Sequence, residues 1–268
     1  MHRHGDGQRK ALIGGKDQSE SAVGRGHVRI IAQPLLCWNL AMRFETVAAA
    51  LDGKVPFMTA RQGRSVYDHL RRERATTVLE LGTAFGASAA YMAAAVVANG
   101  GGRVTTVDRY HFNSGPAPPP EQTAERLGLA GTIDFVRIDH SSYTWWLKQQ
   151  LEALTNRAGN AQPAYDFCYL DGAHDWNIDG LAVVLVERLL RPGAWLLLDD
   201  LDWTYASSAS PTPDGLSDEE QSVPHVRAVF DVVIRGHPNF DRLRIEEGVW
   251  GWARKRSPAK KRRLWARG

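Results

Sequence analysis

From Arg61 to Leu201 the chain alternates short apolar runs with longer stretches whose apolar residues recur at helical spacing. The runs Thr77–Leu81, Arg103–Val107, Ile133–Ile138, Asp166–Leu170 and Trp195–Leu198 read as strands. They are short and rich in apolar residues. Helices are predicted between them, over Arg61–Arg72, Ser88–Ala98, Glu121–Leu127, Tyr143–Leu154 and Ile178–Leu190. In the last of these, Ile178, Leu181, Leu185 and Leu189 fall on one face. Leu190-Arg191-Pro192-Gly193 reads as the stop of that helix. A helix over Pro224–Ile234 and two short strands, Leu243–Glu246 and Val249–Ala253, complete the pattern. Repeated strand-helix units predict an α/β fold, a mostly parallel sheet wound on both faces.

Composition fits one such domain: of 268 residues, 43% are hydrophobic and 24% charged. The expected boundaries are a disordered leader over 1–31, a globular domain over 32–253 and a basic disordered tail over 254–268. Met42 offers a second plausible start. The leader is polar, without the apolar core of a signal peptide, and IIAQPLLCWNLAM is too short and too interrupted to span a bilayer. Two distant cysteines, Cys37 and Cys168, form neither a disulfide framework nor a metal cluster. A reducing cytoplasm is therefore expected. The overall charge of +3 conceals a basic tail, with eight Lys or Arg from Arg254 onward, and an acidic body. That distribution argues against a nucleic-acid enzyme. With no spanning segment read in the sequence, no membrane partner is expected. A homo-oligomer stays open.

VLELGTAFGAS, Val78 to Ser88, carries the sharpest chemistry. A strand ends in Glu80, the chain turns at Gly82 and Gly86, and a helix opens at Ser88. Glycines admit a ligand close to the backbone, and a helix N-terminus offers free N–H groups to an anion. A dinucleotide fingerprint needs a third glycine and a phosphate loop needs G-K-[ST]; both are missing. Ligands in open α/β sheets bind beyond the carboxyl ends of the strands. There the strands deliver Glu80 and Gly82, then Asp108, then Asp139 with His140, then Asp171, then Asp199 with Asp200. Asp108, 26 residues past Gly82, suits a ribose diol. Asp139 and His140 fall where an adenine edge would lie, or they cap a loop.

Asp171, Asp199 and Asp200 form a second group. Three converging carboxylates repel one another, and a hard divalent cation such as Mg²⁺ relieves the repulsion. His174, three residues after Asp171, is placed to take a proton near neutral pH. The alternative is a surface histidine capping the helix that follows, and Asp171 beside it in DGAH favours catalysis. Trp176, Trp203 and Tyr205 are candidate walls for an acceptor, or core.

VLELGTAFGAS, VTTVD, DGAHDWNIDG and RPGAWLLLDD occur in order and together resemble the class I S-adenosylmethionine-dependent O-methyltransferases. The nearest likeness is to the metal-dependent macrocin and mycinamicin sugar O-methyltransferases and the catechol-type enzymes. The resemblance runs roughly from Met58 to Ala253. It implies a Rossmann-like doubly wound sheet with an antiparallel last strand. It implies S-adenosylmethionine held by Glu80, Gly82, Gly86, Ser88, Asp108, Asp139 and His140, with Ser88 on the methionine carboxylate. It implies Mg²⁺ or a similar ion on Asp171, Asp199 and Asp200, and His174 as the base. The implied reaction is methyl transfer to a hydroxyl of a small molecule. SGPAPPP and Ser207–Glu220 match no substrate region of that family, so the acceptor stays open. A metal-independent or N-methylating enzyme of the same fold, and a non-catalytic nucleoside-binding protein, remain the alternatives.

Overall fold

The computed structural model describes residues 44–109, 117–209 and 212–257. Residues 1–43, with the leader, Cys37 and Met42, the first three residues of SGPAPPP and the tail beyond 257 lie outside the described residues. Helices α1 (Phe44–Leu51) and α2 (Ala60–Glu73) precede strand β1 (Thr77–Leu81) and helix α3 (Ala87–Ala98). Next come β2 (Arg103–Arg109), α4 (Pro120–Arg126), β3 (Ile133–Ile138), α5 (Tyr143–Leu154), β4 (Tyr165–Leu170), α6 (Trp176–Leu189) and β5 (Leu190–Leu198). Short helices α7 (Asp218–Ser222) and α8 (His225–Ala228) follow, the second running on as a π-helical turn over Val229–Ile234. Strands β6 (Phe240–Glu246) and β7 (Trp250–Lys255) close the fold.

The seven strands lie in the order β3-β2-β1-β4-β5-β7-β6, and only the pairings made by β7 are antiparallel. The expected architecture is observed. Because side chains alternate along a strand, each strand feeds two cores. Val78, Phe167, Tyr169, Trp195, Leu197 and Trp252 pack under α1, α2 and α3. Leu79, Leu81, Cys168, Leu170, Leu196 and Leu198 pack under α5 and α6. Helix α3 is sandwiched on all sides, with Ala89 through Val96 all at most 1% exposed. Its run of alanines lets the neighbouring backbones close in.

Several boundaries differ from the sequence reading. Helix α1 has no strong periodicity and was not expected. Helix α6 stops at Leu189, where a stop is expected, but 190–193 are already the start of β5: Tyr165 pairs with Leu190 and Phe167 with Trp195, so the residues between form a bulge. A bulge tolerates Pro192, which has no N–H to give the ladder. The tail starts later than expected, because Arg254 and Lys255 belong to β7. Lys255 Nζ donates to the carbonyls of Glu187 and Leu190 at the end of α6, and Arg254 Nε donates to Gly193 O at 3.0 Å. These bases satisfy helix-end and bulge carbonyls inside the fold.

Candidate active site

Strand order reverses between β1 and β4, and the crevice beyond their carboxyl ends is where a ligand fits such a sheet. The ladder runs past the strand ends and fixes the acids there. Gly82 N donates to Val107 O, Asp171 N to Leu81 O and Asp199 N to Leu170 O, at 2.9, 2.9 and 3.0 Å. Gly82 has φ +102°, and a Cβ on it would sit 1.8 Å from Asp171 O. Only glycine lets the turn after β1 lie directly against the turn after β4. Gly86, at φ +77°, is the N-cap of α3 and supplies no side-chain cap. The first N–H groups of α3 are thus left open to an anion. A narrow cleft is lined by Pro56, Phe57, Met58, the turn 82–88 and Asp171.

The side chains beneath the turn are interlocked. Ser88 Oγ and Thr106 Oγ1 donate to the two oxygens of fully buried Glu80, and the Thr83 and Thr106 hydroxyls share a 2.6 Å hydrogen bond. Burial pushes Glu80 up to about 8, against the pull of those two hydroxyls. Asp108 Oδ2 accepts from Thr83 N at 2.8 Å and Ala84 N at 2.9 Å, bracing the glycine turn, while Oδ1 accepts from Arg109 N at 2.6 Å. Asp139 is exposed, its Oδ1 3.4 Å from His140 Nδ1. His140 sits edge-on to Trp145, whose ring is 6.5 Å away.

The acidic group expected at the other end is brought together in part. Asp171, His174 and Asp200 converge, with one ligand atom from each lying within 4.8 Å of the others. His174 Nε2 stands 3.4 Å from Asp171 Oδ1 and 3.3 Å from Asp200 Oδ2, yet it makes no well-aligned hydrogen bond. Burial alone would lower the imidazole. The two carboxylates outweigh it and raise His174 to about 10. His174 and Asp200 both hold left-handed backbones, at φ +52° and +56°. Non-glycine residues adopt that conformation at a cost, and such residues cluster at functional sites. Asp199 turns away from this group. Its Oδ2 accepts from the Tyr169 hydroxyl and its Oδ1 from Asp200 N at 2.7 Å. Burial, followed by the charge of Asp171, lifts Asp199 to about 7.

Of the three aromatic candidates, Trp203 lies against His174 with ring centroids 4.9 Å apart, and Tyr205 backs it at 4.7 Å. Trp176 instead lines a separate cavity with Asp175, Leu216 and Val223. The sequence reading missed the strap Pro56-Phe57-Met58, whose Phe57 stacks on Phe85 of the glycine turn at 5.8 Å. A legible signal was present: Thr59-x-x-Gln62 is a capping box that opens α2 immediately after the strap. Tyr143, Tyr169 and Asp179 were also missed, and no local motif marks them.

Residues 79–201 match the sequence model of a methyltransferase domain family. No curated protein matches the chain. Several solved structures share the fold. The O-methyltransferase from Bacillus cereus in complex with S-adenosylhomocysteine is 18% identical, with a TM-score of 0.54 over 85% of this chain and 94% of that one. TomG, the Streptomyces achromogenes O-methyltransferase of tomaymycin synthesis in complex with S-adenosylmethionine, is 18% identical, with a TM-score of 0.53 over 80% and 89%. Cofactor-bound Rv0187 from MTB is 19% identical, with a TM-score of 0.54 over 86% and 94%. The matched segment runs from within β1 to just past β5, and the sheet order around it is that of the class I S-adenosylmethionine-dependent methyltransferase fold.

Proposed function

We propose that this protein transfers a methyl group from S-adenosylmethionine to a hydroxyl of a small molecule, assisted by Mg²⁺ or a similar ion. One observation carries the reading: Asp171, His174 and Asp200 converge at the same switch point as the open helix N-terminus and the glycine turn. The residues suit the donor. The open N-terminus of α3 is a seat for the methionine carboxylate, with Ser88 beside it. Gly82 and Gly86 keep the turn close, and Glu80 holds Ser88 from below. Asp108 at the end of β2 is the acceptor for a ribose diol, and Asp139 with His140 serves the adenine. When bound, the sulfonium supplies an electrophilic methyl.

The donor set also suits a hard cation. Asp171 and Asp200 are carboxylates that face each other across an imidazole nitrogen lacking a hydrogen bond, and an ion held there would acidify an acceptor hydroxyl. Asp199 serves this site from behind, through the backbone N–H of Asp200. With the carboxylates committed to a cation, His174 is free to accept the hydroxyl proton, and Trp203 walls the acceptor side. The chain's own contribution is placement of the reacting groups. Its sparse cysteines suit a cytoplasmic setting, and no helix among the described residues is long and apolar enough to cross a membrane.

Isothermal titration with S-adenosylhomocysteine tests the donor site. Wild type should bind it, and Gly82→Val and Asp108→Ala should lose or weaken binding by roughly 1.5–3 kcal/mol. Unchanged affinity in both variants would sink the assignment. A radiolabelled methyl-transfer screen should then give products from hydroxylated compounds, abolished by EDTA. His174→Ala should be slower by roughly 10²–10⁴-fold. Products from amines alone, indifferent to EDTA, would favour a metal-independent N-methylating enzyme.

A further inference from the structure

The segment 171–175, between β4 and α6, carries His174 on a turn pinned from outside by two buried side chains. Tyr143 opens α5, and Asp179 lies in the first turn of α6; they are 5% and 0% exposed. The Tyr143 hydroxyl donates to Asp179 Oδ1. That same hydroxyl accepts from Ala173 N at 3.1 Å, and Asp179 Oδ2 accepts from Asp175 N at 3.0 Å. The Tyr143 ring also packs under Gly172, where a Cβ would come within 2.5 Å of its Cε1. The residues before and after His174 are therefore both fixed through one tyrosine–aspartate pair. His174 itself, at φ +52°, is held in a conformation a histidine does not adopt unaided.

A buried carboxylate is a costly way to fill space, and an apolar residue would pack α6 against α5 better. Asp179 is instead used for its two oxygens, one taken by the tyrosine and one by the backbone. Both contacts converge on a single residue's neighbours, and that residue points its ring between Asp171 and Asp200.

We propose that Tyr143 and Asp179 are positioning residues, a clamp that fixes the backbone on both sides of His174 and so aims its imidazole into the acidic site. The proposal rests on the reading of His174 as the base. The clamp is read in full-length protein labelled with ¹³C-histidine. The ring resonance of His174 is identified by its loss in His174→Gln, and its position carries the ring current of Trp203, 4.9 Å away. In Tyr143→Phe, which keeps the ring under Gly172, this resonance should move toward the position of free histidine. The amides of Ala173 and Asp175 should exchange with solvent about tenfold faster, the worth of one hydrogen bond. The amides of β4 should keep their protection. Asp179→Asn should repeat the pattern. An unmoved His174 resonance and unchanged loop protection in Tyr143→Phe would overturn the clamp. So would a uniform loss of protection across β4 and α6, since that is a general packing role. S-adenosylhomocysteine binding by wild type is a separate result: its failure would remove the methyltransferase reading and leave the clamp standing or falling on the resonance.

Discussion

Asp199 and Asp200 are adjacent in the chain and have different surroundings. Asp199 is 5% exposed and held by Tyr169, while the Asp200 side chain is half-exposed and faces His174. The left-handed backbone of Asp200 turns the second carboxylate out as the first turns in. A cation that binds here should therefore depend on Asp171 and Asp200 more than on Asp199. Titrating the protein with Mn²⁺ and following the free ion by paramagnetic resonance checks this. Asp171→Asn and Asp200→Asn should each weaken binding by about 1.5–3 kcal/mol, the worth of a charged contact. Asp199→Asn should weaken it less, because its amide oxygen can still accept from Asp200 N while its NH2 donates to the Tyr169 hydroxyl. Equal losses at all three positions would mean that Tyr169 releases Asp199 when the ion arrives.

At the scale of elements, α2 is seated on the sheet by His69, which is 2% exposed and packed among Phe167, Trp195 and Trp252. Its Nδ1 lies 2.9 Å from a guanidinium nitrogen of Arg72. Burial, then the charges of Arg72 and Arg244, lower His69 from 6.5 to about 3. The folded state keeps this imidazole neutral, while the unfolded chain protonates it below its ordinary value. Its contribution is therefore intact above pH 6.5 and drains away as pH falls toward about 3. By linkage the loss reaches about 2 kcal/mol at pH 5. Buried Glu80 and Asp179, both raised, push the other way, so the comparison has to be made against a variant. Between pH 7 and pH 5 the melting temperature of wild type should fall further than that of His69→Leu; parallel curves would refute the assignment. The end of α6 carries a second test. Lys255 is ion-paired to Glu187 at 3.1 Å, with both side chains largely buried. Lys255→Met takes the ammonium from two carbonyls and from that carboxylate, to which Asn239 Nδ2 still donates, and should destabilise the fold by about 1–3 kcal/mol in urea unfolding. The sequence showed β1, β3 and α5 to the residue, because each has a strong period and a clear stop. It missed the start of β5, because Pro192-Gly193 is written alike for a helix end and for a bulge, and only the pairing with β4 decides between them.

For the molecule as a whole, the sheet closes at Lys255, and the bases of the expected tail that lie at 254 and 255 are part of it. Deleting residues 258–268 should therefore leave the melting temperature and S-adenosylhomocysteine affinity as they are. A marked loss of either would show that Leu264 and Trp265 dock on the body. Sequence alone determined the class of fold, since strand and helix patterns alternate along the chain. It also determined that acids stand at the strand ends, because a parallel sheet sends every strand end to one rim. Tertiary structure decided which acids meet. The reversal of strand order put Gly82 against Asp171, and the register of β4 and β5 set Asp199 opposite the Tyr169 hydroxyl. Tyr143 and Asp179, 36 residues apart, reach the His174 turn only because α5 and α6 pack side by side on one face of the sheet. Spacing along a chain reports what one element presents. Contacts between side chains on different elements depend on how those elements dock, and no local period encodes that.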